Sequence, residues 1–197
     1  MVRYFELLPL DGEDEIWLFS ENDENDRLVL RPEYRELACD RCGKLDEARA
    51  LREIGIARLE IESDRQFLGT SDEFIMVGRT FQEAYETLGL NGLEFLEVPG
   101  SSSWSVVLPS VVMDVDPALA GFEIHGGHCS RCGRAREATV GPLMASITKP
   151  EDPMSVFTAN AWSESVKGRR LHLFCSEAVA QGLKRSCLKG LELLEAL

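Results

Sequence analysis

Two hexapeptides constrain this chain more than any other feature. Cys39-Asp-Arg-Cys42-Gly43-Lys44 and Cys129-Ser-Arg-Cys132-Gly133-Arg134 both read C-x-R-C-G-[K/R], and they stand ninety residues apart in a chain of 197. Two residues between cysteines let both thiolates converge on one tetrahedral ion. The glycine after the second cysteine lets the backbone turn tightly enough for amides to point at sulfur. Each hexapeptide is thus half of a zinc knuckle, and Cys39, Cys42, Cys129 and Cys132 together supply the complete shell of one structural Zn2+. Four thiolates leave the site negatively charged, which Arg41, Lys44, Arg131 and Arg134 are placed to offset. A shared ion would pin two distant stretches of chain together.

Three other readings compete. A redox dithiol shares the C-x-x-C spacing, but it wants its first thiol at a helix start, where the following glycine is a poor fit. Two separate metal sites would need further ligands, and only His125 and His128 lie close in sequence. A metal-free pair is the third. His125-Gly-Gly-His128 reads more simply as a loop leading into the second knuckle, and Cys175 and Cys187 read as buried thiols. His172 and Cys175, three apart on an expected strand, leave opposite faces, which argues against a Cys–His nucleophile pair.

A second echo follows the first. Phe74-Ile-Met-Val77 leads into a helical stretch with Phe81, Tyr85 and Leu88 on one face, then Leu90-Asn-Gly92 and a run from Leu93 to Val98. Near the C-terminus Leu171-His-Leu-Phe174 leads into Val179, Leu183 and Cys187, then Leu188-Lys-Gly190 and Leu191 to Ala196. Gly92 and Gly190 stand 98 residues apart, so the second copy carries about eight extra residues between knuckle and helix. Both glycines are expected as helix C-caps. Strands are expected at Tyr4–Leu8, Trp104–Leu108 and Val111–Met113. An amphipathic helix is expected over Leu45–Ile61, weakened by Gly55, and a loop over Gly141–Ser165.

The fold expected from this pattern is α+β: two pseudo-repeated halves, each a small, mainly antiparallel sheet with a helix, joined by the zinc-knuckle pair. The halves would span 1–99 and 104–197, forming one compact unit with the break-rich Pro99-Gly-Ser-Ser-Ser103 between them.

Charge bounds the partners. Thirty-four acids against 21 Lys and Arg give a net charge of −13, which repels nucleic acid and attracts basic proteins. From Glu6 to Asp26 there are nine acids and no Lys or Arg. Within that run Glu13, Asp14, Glu15, Glu21, Asp23, Glu24 and Asp26, with Trp17 and Phe19 among them, form the candidate partner surface; the plainer reading is a solvated face. The stretch from Lys167 to Lys189 is locally basic, which keeps a zinc-knuckle nucleic-acid or transcription-associated module as the alternative. No apolar run suits a membrane helix, and the N-terminal segment lacks the apolar core of a secretory signal, so a cytoplasmic protein is expected. No phosphate loop, dinucleotide fingerprint, H-E-x-x-H or nucleophile elbow is present, and no enzymatic activity is expected.

A double C-x2-C-G at this separation, in an acidic chain of this length, resembles the double-CxxCG family of myxobacteria. The resemblance covers the two hexapeptides and, more loosely, Ser176, Glu177, Leu183, Gly190, Leu191 and Glu192. Members of that family are described as swarm-inhibition immunity proteins of polymorphic toxin systems. The resemblance implies a cytoplasmic antitoxin that binds and blocks one cognate protein toxin. A basic, nuclease-like toxin cleft would suit an acidic plug. The dense acidic segment at 11–26 departs from the usual opening of the family, so its assignment as partner surface rests on charge and aromatic content alone.

Overall fold

The structure, a computed structural model, describes residues 3–10, 16–25, 27–116, 121, 123–139, 149–159, 163–164, 169–170 and 172–196. It is an α+β fold of small, mainly antiparallel sheets with few helices. In chain order the elements begin with β1 (Tyr4–Pro9), the hairpin strands β2 (Ser20–Asn22) and β3 (Leu28–Leu30), a 3-10 turn at Pro32–Leu37 and α1 (Glu47–Glu53). Next come β4 (Phe67–Gly69), β5 (Ile75–Gly78), α2 (Arg79–Thr87), β6 (Leu93–Val98), β7 (Ser101–Pro109) and β8 (Val112–Met113). The chain then forms β9 (Glu123–His128), β10 (Ala135–Thr139), β11 (Val156–Ala159), β12 (Ser163–Glu164), β13 (Arg169–Arg170), β14 (Leu173–Ser176), α3 (Glu177–Arg185) and β15 (Leu191–Ala196).

Two sheets carry the core. One runs β4-β5-β7-β6, the other β15-β1-β14-β11-β8. The first order reappears in the second sheet as β11-β14-β1-β15, with α2 and α3 each following the strand in second place. The repeat expected from the sequence is therefore a structural one. Gly78 and Ser176, the N-caps of α2 and α3, lie 98 residues apart, as do Leu93 and Leu191 at the starts of β6 and β15. The register pairs Pro9 with Leu191 and Pro109 with Leu93, so β1 and β7 are equivalents a hundred residues apart. The extra residues of the second copy fall between β11 and β14, where β12 and β13 leave to extend the β9–β10 hairpin.

The two copies do not form separate halves. β1, the first strand of copy one, lies between β15 and β14 of copy two, while β7, the first strand of copy two, lies between β5 and β6 of copy one. Each copy lends its opening strand to the other's sheet, so the chain cannot be cut near residue 100 without removing a central strand. Pro99-Gly-Ser-Ser-Ser103 is accordingly no linker. Pro99 and Gly100 turn the β6–β7 hairpin and Ser101 begins β7.

The sheets and helices enclose a shared core. Phe5 and Leu7 of β1, Phe67, Val77 and Val107 of the first sheet, and Val156, Leu173 and Cys175 of the second are all buried around α2 and α3. Phe81 and Tyr85 of α2 and Val179, Ala180 and Leu183 of α3 supply the helical side of it. Tyr85 reaches beyond packing: its hydroxyl accepts the Leu93 amide at 2.9 Å and fixes the turn into β6. A second core lies on the other face of the first sheet, where Met76, Trp104 and Val106 meet Leu18, Phe19, Tyr34, Leu45 and Ala50. Asp72 ties that cover down. Its buried carboxylate accepts the Leu18 and Phe19 amides at 2.9 and 3.0 Å and the Thr70 hydroxyl at 2.7 Å.

Three local expectations need correction. Helix α1 is only a fragment of Leu45–Ile61: Asp46 caps it and Gly55, at φ 87°, stops it, after which the chain is extended. The stretch 141–165 is not all loop, because Val156–Ala159 is an interior strand with all four residues buried, and β12 also falls there; 141–148, 160–162 and 165 lie outside the described residues. The helix C-caps are not Gly92 and Gly190. Gly89 (φ 64°) and its equivalent Cys187 (φ 51°) take the left-handed position three residues earlier. Gly92 and Gly190 serve a different need, since a Cβ on either would collide with a carbonyl oxygen, that of Val156 or Phe67, where each return loop docks on the other copy.

Cys187 therefore holds a conformation that costs a Cβ-bearing residue about 1–2 kcal/mol. Glycine relieves it while adding freedom to the unfolded chain. Cys187→Gly is expected to raise stability by about 0.5–1 kcal/mol in denaturant unfolding.

Candidate metal centre

The two hexapeptides fold alike. In the first, the Cys39 amide donates to the Lys44 carbonyl at 2.9 Å and the Gly43 amide to the Cys39 carbonyl at 2.8 Å; in the second, Cys129 to Arg134 and Gly133 to Cys129 span 2.8 and 2.9 Å. Gly43 and Gly133 have φ of 74° and 75° with open space around them, so glycine is required there by conformation rather than by room. The second knuckle is the tip of the β9–β10 hairpin, and an Ala38–Leu45 bridge closes the first between the 3-10 turn and α1.

The tips meet. Cys39 and Cys129 sulfurs are 3.8 Å apart, Cys42 and Cys132 sulfurs 3.7 Å, and all four lie within 4.8 Å of one another. A tetrahedral ion with metal–sulfur bonds of about 2.3 Å requires sulfur–sulfur edges of roughly 3.8 Å. The cluster matches that figure and is compatible with one bound metal ion. The backbone supports it electrostatically. Amides of Cys132 and Arg131 point at the Cys129 sulfur and lower its pKa to about 6. Those of Arg41 and Cys42 lower that of Cys39. At Cys42 the Lys44 amide also lowers the pKa, but desolvation and the three neighbouring thiols outweigh it and push the thiol up to about 11. Four sulfurs this close cannot all ionise unless a cation joins them.

The basic end of each hexapeptide does more than balance charge. Lys44 Nζ donates to the Ala135 and Arg136 carbonyls at 2.9 and 2.7 Å, across the junction. Arg134 reciprocates by donating to the Leu45 carbonyl and clamping Glu47 through both nitrogens at 2.9 and 3.0 Å. Each knuckle thus sews its last side chain to the segment leaving the other, β10 in one case and the start of α1 in the other. Arg131 faces Asp40 across the same gap at 3.6 Å, both exposed. Glu47 was not singled out by sequence reading. The signal for it was the basic residue ending both hexapeptides, which needs a partner somewhere.

The remaining candidates scatter. His125 contacts Thr139 at 3.1 Å, and neither His125 nor His128 belongs to the sulfur cluster. Cys175 is buried in the main core, which pushes its thiol up to about 12, whereas Cys187 is exposed, contrary to its expected burial. Of the acidic surface, Glu13, Asp14, Glu15 and Asp26 lie outside the described residues. Trp17 is half-buried and Glu24 exposed. Glu21 pairs with Arg31 at 3.0 Å, and Asp23 accepts the Asn25 and Arg27 amides at 2.9 Å to hold the β2–β3 turn. Phe19 is buried with its ring edge-on to Tyr34 and Phe74, so it anchors no partner. Of the basic stretch, Lys184 lies over the Phe5 ring and Lys189 pairs with Asp64 at 2.6 Å, while Lys167 lies outside the described residues.

Among the described residues no helix is long and apolar enough to cross a membrane. No protein-family model and no curated protein matches the sequence.

Three outcomes follow from this geometry. Purified chain is expected to carry about one divalent metal ion, measured by elemental analysis, and Cys42→Ser to lose it with a fall in thermal midpoint of about 10 °C or more. In metal-stripped protein, thiolate absorbance should show one ionisation near pH 6 that Cys129→Ser removes. Because that folded-state pKa lies below its unfolded value near 9, its stabilisation is full above pH 9 and lost as pH falls through 6. At the clamp, Arg134 and Glu47 are largely buried, so Arg134→Ala should cost about 2–4 kcal/mol. Arg134→Lys should recover less than half of that, since the fork is lost.

Proposed function

We propose that the chain is an immunity protein: a rigid, acidic inhibitor, held by one structural zinc, that binds and blocks a cognate protein toxin in the cytoplasm of the cell it protects. The observation that carries the reading is the completeness of the sulfur shell. Four cysteine ligands fill a tetrahedron and leave no open position for water or substrate, which is the arrangement of a structural zinc rather than a catalytic one. All-sulfur tetrahedral donors favour zinc over magnesium or calcium, which take oxygen.

The net charge supports the choice of partner class. At −13 the chain attracts a basic protein at long range, as a nuclease-like toxin with an Arg- and Lys-lined cleft would be. Inhibition here is occlusion, and no residue of the inhibitor needs to act chemically. The likeness of the paired hexapeptides to the myxobacterial double-CxxCG family points the same way.

Co-expression with the toxin domain encoded beside this protein's gene tests the reading. Cells producing both are expected to grow, and the two proteins to co-purify in a salt-sensitive complex. Equal killing with and without this chain, or a neighbour that is no toxin, overturns it.

A further inference from the structure

A cleft of about 770 Å³ opens beside the knuckle pair. Its floor is apolar: Leu37, Leu51, Phe74 and Leu108 are half-buried there, resting on the second core. Its walls come from both copies, with Cys39 and Asp40 on one side and Arg131, Cys132 and Arg134 on the other. One wall of the cleft is therefore in place only while the knuckles are joined.

The rim charges decide what it suits. Every lining cation has a partner within the chain: Lys44 the Ala135 and Arg136 carbonyls, Arg134 Glu47, Arg131 Asp40 and Arg49 Glu53. Among the carboxylates, Glu36 makes no ion pair among the described residues, and Asp46 accepts only the Arg49 amide that caps α1. With the ion pairs set aside, the Glu36 and Asp46 carboxylates stand against Lys44, whose carbonyl partners leave its charge in place, so the mouth keeps a small negative excess over an apolar floor with room for roughly two or three large side chains.

We propose that this cleft docks a polypeptide segment of the partner protein that presents bulky apolar side chains flanked by Lys or Arg. The identity of that partner rests on the immunity reading, whereas the chemistry of the cleft does not. This places the main anchor away from the β2–β3 hairpin, whose Glu21 and Asp23 are committed to internal contacts. It also couples partner binding to the metal, because a bound ion would brace the wall that Arg131, Cys132 and Arg134 form.

The test uses the metal-loaded full chain and two fluorescein-labelled peptides, a Leu-Trp-Leu core flanked by lysines and the same core flanked by glutamates. In fluorescence anisotropy the lysine peptide is expected to bind at least tenfold more tightly. Leu51→Asp should weaken it tenfold or more, and stripping the metal should do the same. Glu36→Lys, an exposed change that leaves the metal content and thermal midpoint intact, should weaken it about threefold and so remains decisive if Leu51→Asp fails to fold. Equal binding of both peptides, or a Glu36→Lys variant that binds as the parent does, overturns the proposal. With the toxin itself, a photo-cross-linking residue at position 51 should capture it. Capture only from position 24 overturns the cleft and leaves the immunity reading standing. Lysine-peptide binding at the cleft without any toxin complex supports the cleft and removes the immunity reading.

Discussion

Four sulfurs from the two copies of a repeat lie within 4.8 Å of one another. Neither knuckle can complete a tetrahedron alone, and neither first nor second copy can complete a sheet alone. Lys44 and Arg134 add the polar half of the junction, each donating to the backbone that leaves the opposite knuckle. The sulfur cluster and this reciprocal stitching act on the same few residues, so a bound ion would complete a junction whose polar half the two side chains already make.

The exchanged strands extend the same logic through the body of the protein. β1 and β7 each sit in the middle of the other copy's sheet, and Gly92 and Gly190 let each return loop lie flat against a strand of the other copy, β11 and β4. A scaffold interlocked in this way can devote its surface to recognition without relaxing its core. The inhibitor proposed for this chain would gain directly from such stiffness, because little ordering free energy would be lost on binding.

Much of the site was legible in the chain. The spacing of the cysteines and the glycine after each pair state a tetrahedral sulfur site in the only terms local sequence can, the turn conformation and the donor type. The repeat was legible too, through Leu-x-Gly-Leu-Glu and its offset. Other readings failed for reasons that local pattern does not carry. Pro99 and Gly100 signal a break equally well whether they turn a hairpin or join domains. Phe19 among carboxylates looks like a surface anchor until Asp72, more than fifty residues away, accepts its amide and draws it inward. Val156–Ala159 is too short, and too close to Pro153, to announce an interior strand.

Sequence by itself determined the donor set, the turns that aim it and the kind of element formed where the pattern is strong, as at β1, α2 and α3, because these depend on backbone freedom and side-chain periodicity within a few residues. Only the tertiary structure decided partnership: which sheet receives β1, which knuckle meets which, and which carboxylate meets Arg134. The apolar run Tyr4-Phe-Glu-Leu-Leu8 specifies a strand, here with Tyr4 and Phe5 buried in different clusters, but hydrogen-bonding edges are the same on every strand. The choice of neighbour follows from how all the apolar faces close together at once.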